Sequence, residues 1–204
     1  FLSKRKELSE HIQLFHIPID GGEASLFFEH STSINFYRWS PNGEWLAFLS
    51  TDTLSNERKR AMGKGYDMLV KDKYHHYQRL WLHNINTGKT GMIFKNDIHV
   101  HDFIWSYDSK TIVFQGTDIP GADPSLMDRT LYKVIIPKNL PRKILDTPGK
   151  LGSMDISPDG KILAFLGAVT RNDPLPQTIF TIPFKNPKKI SSHLGIDESF
   201  YEID

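Results

Sequence analysis

Apolar and polar positions follow one motif that recurs three times along the chain. A short segment alternates between the two kinds of residue, a polar turn follows, and an almost unbroken apolar run comes next. The copies are Phe36–Phe48, Asp102–Phe114 and Ser153–Phe165. Alternation predicts a half-buried strand, and the apolar run predicts a buried one. Between them, Ser40-Pro-Asn-Gly43 and Ser157-Pro-Asp-Gly160 carry the chemistry of a tight turn. Proline presets φ, Asn or Asp bonds its own backbone, and glycine accepts positive φ. Leu46, Ile112 and Leu163 should be equivalent core positions, and so should Phe48, Phe114 and Phe165.

The spacing is regular. Trp39 to Phe48, Trp105 to Phe114 and Ile156 to Phe165 each span 9 residues. A second pair recurs upstream of each turn, at Leu14-Phe15, Leu80-Trp81 and Leu131-Tyr132. From Phe15 to Trp39, Trp81 to Trp105 and Tyr132 to Ile156 the distance is 24 residues each time. Ile179-Phe180 is a further copy, and the same spacing from Phe180 ends on Asp204. Phe1–Ser3 matches Phe48–Ser50, so the chain is expected to begin and end inside a repeat.

Four short strands in a unit of about 50 residues is the signature of a propeller blade. The expected fold is therefore all-β: a β-propeller of four-stranded antiparallel blades, about three of them full, with partial blades at both ends. The divisions are a blade fragment at 1–30, blades at 31–96, 97–147 and 148–193, and the start of the next blade at 194–204. The repeat lengthens between its second and third strands, most of all at Thr51–Gln78, and less at Gly116–Thr130 and Gly167–Thr178. Insertions at one point of a repeat emerge on one face of the assembly.

The 204 residues include 25 Lys+Arg against 24 Asp+Glu, so a polycation that coats nucleic acid is not expected. There is no cysteine, which removes disulfides and thiolate chemistry and suits a reducing compartment. No apolar run reaches the length of a membrane-spanning helix. A cytoplasmic location without membrane contact is the expectation.

The residues now carry a resemblance. The aromatic-Ser-Pro-Asp/Asn-Gly signature with its Ala-Phe run resembles TolB and WD40-like propeller repeats. Gln13–Glu23 with its Gly21-Gly22-Glu23 hairpin, Tyr66–Tyr74 before Arg79–Leu82, and Asn86–Lys89 resemble the N-terminal propeller of prolyl-oligopeptidase family serine peptidases. The nearest branch is that of the acylaminoacyl-peptidases and dipeptidyl-aminopeptidases. This resemblance implies a C-terminal α/β-hydrolase domain as partner, short or N-terminally blocked peptides as substrates, and a propeller that filters them by size. It implies about seven blades in the closed ring. The chain has no Gly-x-Ser-x-Gly elbow, so no residue here is expected to be catalytic.

From Glu57 to Lys73 six cations face three carboxylates, making the long insertion locally basic. Arg58 and Arg60 suit contacts to a peptide carboxylate or carbonyl, and Tyr66 and Tyr74 suit packing on peptide side chains. A solvated loop is the simpler reading, under which Arg58→Ala costs within about 0.5 kcal/mol. His99-Val100-His101 offers two imidazoles on one strand face but no identifiable third ligand. No metal and no cofactor are expected. Open blade edges would favour self-association. The alternatives are a TolB-like or WD40-like protein-interaction scaffold without catalysis, and a propeller-fold polysaccharide enzyme with acidic or His residues converging on its channel.

Overall fold

The computed structural model describes residues 1–5, 9–66, 76–137, 140–145, 147, 149–172, 175, 178–185 and the backbone of 191–193. The strands arrange in four antiparallel sheets, which are the blades of a partial propeller. Blade 1 holds β1 (Leu2–Ser3), β2 (Gln13–His16) and β3 (Ser25–Phe28). Blade 2 holds β4 (Ile34–Trp39), β5 (Trp45–Thr51), β6 (Gln78–Asn84) and β7 (Thr90–Met92), with helix α1 (Asn56–Gly63) between β5 and β6. Blade 3 holds β8 (His99–Trp105), β9 (Thr111–Thr117), β10 (Thr130–Ile135) and β11 (Arg142–Leu145), with helix α2 (Ala122–Met127) between β9 and β10. Blade 4 holds β12 (Leu151–Ile156), β13 (Ile162–Gly167), β14 (Thr178–Pro183) and β15 (Ser191–His193).

Each turn in the repeat is built the same way. The Ser40, Ser106 and Ser157 hydroxyls donate to Asn42, Asp108 and Asp159 at 2.7, 2.6 and 2.7 Å. Each hydroxyl oxygen then accepts from the first residue of the next strand, Trp45, Thr111 or Ile162, at 2.9–3.0 Å. Gly43 and Gly160 sit at φ 72° and 68°. Blade 3 departs from the pattern, with Tyr107 in place of proline and Ser109 in place of glycine at φ 58°. Ser109 accepts a hydrogen bond from the Asn42 backbone N–H of blade 2 at 3.0 Å, so the strained residue ties two blades together.

The aromatic column is equally regular. Across the second and third blade strands, Phe48 stacks on Trp81, Phe114 on Tyr132 and Phe165 on Phe180, with ring planes within 15°. Phe1 and Phe15 make the corresponding pair in blade 1. Between blades 2 and 3 the core gathers Leu49, Leu80, Leu82, Phe103, Trp105 and Phe114. Between blades 3 and 4 it gathers Ile104, Val113, Leu131, Leu163, Phe165 and Ile182.

The long insertion is helical over Asn56–Gly63, where a solvated loop was the simpler reading. Its sequence supports this. Ser55 caps the helix by accepting from the Arg58 N–H at 3.1 Å, Glu57 lies in the first turn and Arg60 in the last. Arg58 is 5% exposed, which corrects the expectation of a freely solvated side chain.

Candidate functional site

The ends of β5, β9 and β13 and the starts of β4, β8 and β12 lie together, because Ile34 pairs with Ser50, His99 with Thr117 and Leu151 with Gly167. All three insertions therefore leave from one face. Each first strand also has a register irregularity near its start, between Ile34 and Phe36, Val100 and Asp102, and Leu151 and Met154. Such bulges re-aim side chains. Asn35 and His101 fall inside them.

Around these bulges runs a chain of polar contacts. The Asn35 amide donates to Gln78 Oε1 at 2.8 Å, and Gln78 Nε2 donates to the Val100 carbonyl at 2.7 Å. The Gln78 backbone N–H donates to His99 Nδ1 at 3.0 Å, which places the proton of His99 on Nε2. The Thr117 hydroxyl donates to the Ile119 carbonyl and lies 3.1 Å from His101 Nε2, so that nitrogen carries a proton and donates. In blade 3 the Arg129 guanidinium donates to the Ser125 carbonyl and to Gln115 Oε1. Gln115 Nε2 in turn donates to the Gly152 carbonyl of blade 4.

Insertion is tied to insertion as well. The Tyr77 hydroxyl, at the base of the first, donates to the Asp118 carbonyl of the second at 3.0 Å. Asp128 of the second pairs with Arg171 of the third at 2.8 Å. Arg79 anchors the blade 2 end of this rim through Asp52 at 2.9 Å, Asp97 at 3.0 Å and the face of Tyr77.

Burial governs the charges. It lowers the pKa of His101 to about 3, with Arg129 and His99 adding to the effect. His99 is lowered by burial, then by Arg79 and Arg129. Burial raises the Asp102 carboxyl and lowers the Arg129 guanidinium, and Asp102 partly offsets the latter. The face thus carries two neutral imidazoles with ring centres 4.7 Å apart, beside a half-buried cation and a half-buried carboxyl. That arrangement donates and accepts hydrogen bonds but supplies no activated nucleophile. Among the described residues no three His, Cys, Asp or Glu side chains converge to hold a metal ion.

The sequence candidates are only partly brought together. Arg60 and Tyr66 line a shallow cavity of about 350 Å³ with Glu57, Ala61 and Lys64. Arg58 points inward, donating to the Tyr66 carbonyl at 3.1 Å, and folds the helix end back on itself. Tyr74 lies outside the described residues. Gln78, Gln115 and Arg129 were missed. Gln78 opens β6 and Gln115 lies within β9, where only the register reveals a partner, and Arg129 lies at the end of an insertion whose fold the repeat does not specify.

No family model matches the chain, and no curated protein matches it by sequence. Solved structures do. A putative TolB from Agrobacterium tumefaciens matches at 13% identity and TM-score 0.59, over 89% of this chain and 56% of that one. An oligogalacturonate lyase in complex with manganese matches at 14% and 0.57, over 89% and 41%. The β-propeller domain of the Trilobed protease from Pyrococcus furiosus matches at 15% and 0.52, over 78% and 42%. The chain spans 41–56% of the length of these structures. The likeness is one of fold: this chain folds as a partial β-propeller, like the propellers of these proteins.

Proposed function

We propose that the chain is the propeller segment of a serine peptidase, bordering the chamber in front of an α/β-hydrolase domain and admitting short or N-terminally blocked peptides. One observation carries the reading. The insertions of three successive blades leave one face and are tied to each other there through Tyr77–Asp118 and Asp128–Arg171, forming a polar rim. A rim of joined insertions can narrow an entrance, and the exposed Arg60 and Tyr66 offer a cation and an aromatic ring beside it. A protease propeller among the solved relatives supports the same reading. The absence of cysteine supports a reducing, cytoplasmic setting.

The test uses the full-length parent protein. It should hydrolyse chromogenic dipeptide and acyl-amino-acid substrates and lose activity to a serine-directed phosphonate. Arg60→Glu should raise KM for these substrates several-fold and leave kcat intact. A parent that neither turns over these substrates nor is labelled by the phosphonate overturns the reading. That outcome favours the alternative, a non-catalytic TolB-like interaction scaffold, which the TolB relative supports. The polysaccharide-enzyme alternative has less behind it, because among the described residues His99 and His101 have no third convergent ligand for a metal.

A further inference from the structure

Between blades 3 and 4, on the face opposite the insertions, lies a cavity of about 420 Å³. Its position is encoded in the repeat. In the gap between blades 2 and 3, Trp45, Leu82 and Trp105 pack in one apolar cluster and narrow the corresponding space to about 230 Å³. The strand registers pair Leu82 with Ala47 and Lys133 with Val113, and these are the same blade position. By the same registers Thr111 stands where blade 2 has Trp45, and Ile156 where blade 3 has Trp105. Three large apolar side chains are thus replaced by a threonine, a lysine and an isoleucine. The space they leave widens the cavity to its larger size, lined by Thr111, Lys133, Ile135 and Phe184 and capped by Tyr107.

The lining has a definite chemistry. Lys133 is half-buried at a position that holds a core leucine one blade earlier, and Lys185 stands at the rim. Among the described residues neither makes an ion pair. The two carboxylates of the lining are already engaged. Asp108 accepts from the Ser106 hydroxyl and the Lys110 N–H, at 2.6 and 3.0 Å. Asp159 accepts from the Ser157 hydroxyl and the Lys161 N–H, and pairs with Lys161 Nζ at 2.9 Å. Both carboxylates keep their charge but are bound within their own turns, which leaves the ammonium groups of Lys133 and Lys185, beside the rings of Tyr107 and Phe184, as the donors open to a ligand. Tyr107 is 50% exposed at the turn position where the other copies have proline.

We infer that this gap binds an organic carboxylate with a flat apolar body, the anion meeting Lys133 and Lys185 and the body lying on Tyr107, Ile135 and Phe184. The volume falls in the usual range for small-ligand sites. A half-buried ammonium without an ion pair gains a charge-assisted hydrogen bond when a carboxylate is brought against it. The carboxylate can be that of a free acid or the C-terminus of a peptide ending in an aromatic residue. This site does not depend on the peptidase reading, since it lies on the other face and needs no catalytic domain.

The test is an amide-resonance titration of the chain with 3-phenylpropionate. Saturable shifts around Thr111, Lys133 and Phe184 are expected, with a Kd on the order of 1 mM for so small a probe. The neutral 3-phenylpropanol should bind at least 10-fold more weakly. Lys133→Met should weaken the acid at least 10-fold, while Lys133→Arg retains it. Thr111→Trp, which restores the residue of blade 2, should block the site by filling it. Ala-Ala-Phe as free acid and as amide separates the two sources. Binding of the tripeptide acid but not the amide assigns the site to peptide C-termini, and binding of phenylpropionate alone assigns it to free acids. The inference is overturned if neither acid saturates, if the alcohol binds as well as the acid, or if folded Lys133→Met and Thr111→Trp both bind undiminished.

Discussion

Burial holds the His101 imidazole neutral down to about pH 3, and the neighbouring Arg129 charge and His99 act in the same direction. His99, His30 and His83 are lowered as well, each chiefly by burial. The unfolded chain takes up protons on these rings near pH 6.5, whereas the folded chain does not. Their contribution to stability is therefore complete above pH 6.5 and is lost progressively as pH falls below it, for His101 down to about pH 3. Asp102 works against this, since its raised pKa lets the folded state accept a proton earlier than the unfolded one. It is one carboxyl against four imidazoles, so the histidines govern the slope below pH 6.5. The midpoint of thermal unfolding should drop by several degrees from pH 7.5 to pH 5.0. His101→Gln, which retains a donor for Thr117, should shrink the drop. An equal drop in the variant would show that His101 does not titrate as its surroundings demand.

Helix α1 has almost no apolar face, and Arg58 is its one buried side chain. Burying a guanidinium is tolerable only when its donors are satisfied, and the Tyr66 carbonyl at 3.1 Å is one of its partners. Arg58→Ala should therefore cost about 1–3 kcal/mol locally, far more than an exposed loop residue would. Because the cost falls on the insertion, limited trypsin digestion is the measurement. Cleavage at Lys59, Arg60 and Lys64 should accelerate about 5- to 150-fold, in line with that energy. Unchanged cleavage would mean that Arg58 does not hold the helix. This element also marks the limit of sequence reading. The blades were legible because Phe48, Phe114 and Phe165 repeat at fixed spacing, and repetition reports a shared environment. The insertion occurs once, its net positive charge resembles any solvated loop, and nothing in the sequence says that one of its arginines turns inward. The polar rim was half legible. His99 and His101 drew attention by type, but Gln78, Gln115 and Arg129 become partners only through register and a bulge.

Across the whole molecule the blades are joined pairwise, and in such assemblies stability is close to a sum of blade and nearest-neighbour interface terms. The interfaces here are unequal. Trp105 fills the gap between blades 2 and 3, and its indole N–H donates to the Arg38 carbonyl across it at 3.3 Å. The gap between blades 3 and 4 has Ile156 at that position and leaves about 420 Å³ open, against about 230 Å³ between blades 2 and 3. Fewer apolar contacts there mean that blade 4 can detach at a lower free energy than blades 2 and 3 can separate. Amide hydrogen exchange should find β5, β6, β9 and β10 the most protected strands, with β13 and β14 opening earlier. Trp105→Ile imposes the residue of blade 4 on the better-filled gap. It should lower protection across β4–β7 by an amount typical of a large-to-small core change, about 2–4 kcal/mol. Protection in β13 and β14 should stay nearly as before, since their own interface is untouched. Uniform protection in the parent chain, or uniform loss in the variant, would mean that the blades open as one unit and that filling of the gaps does not set their order.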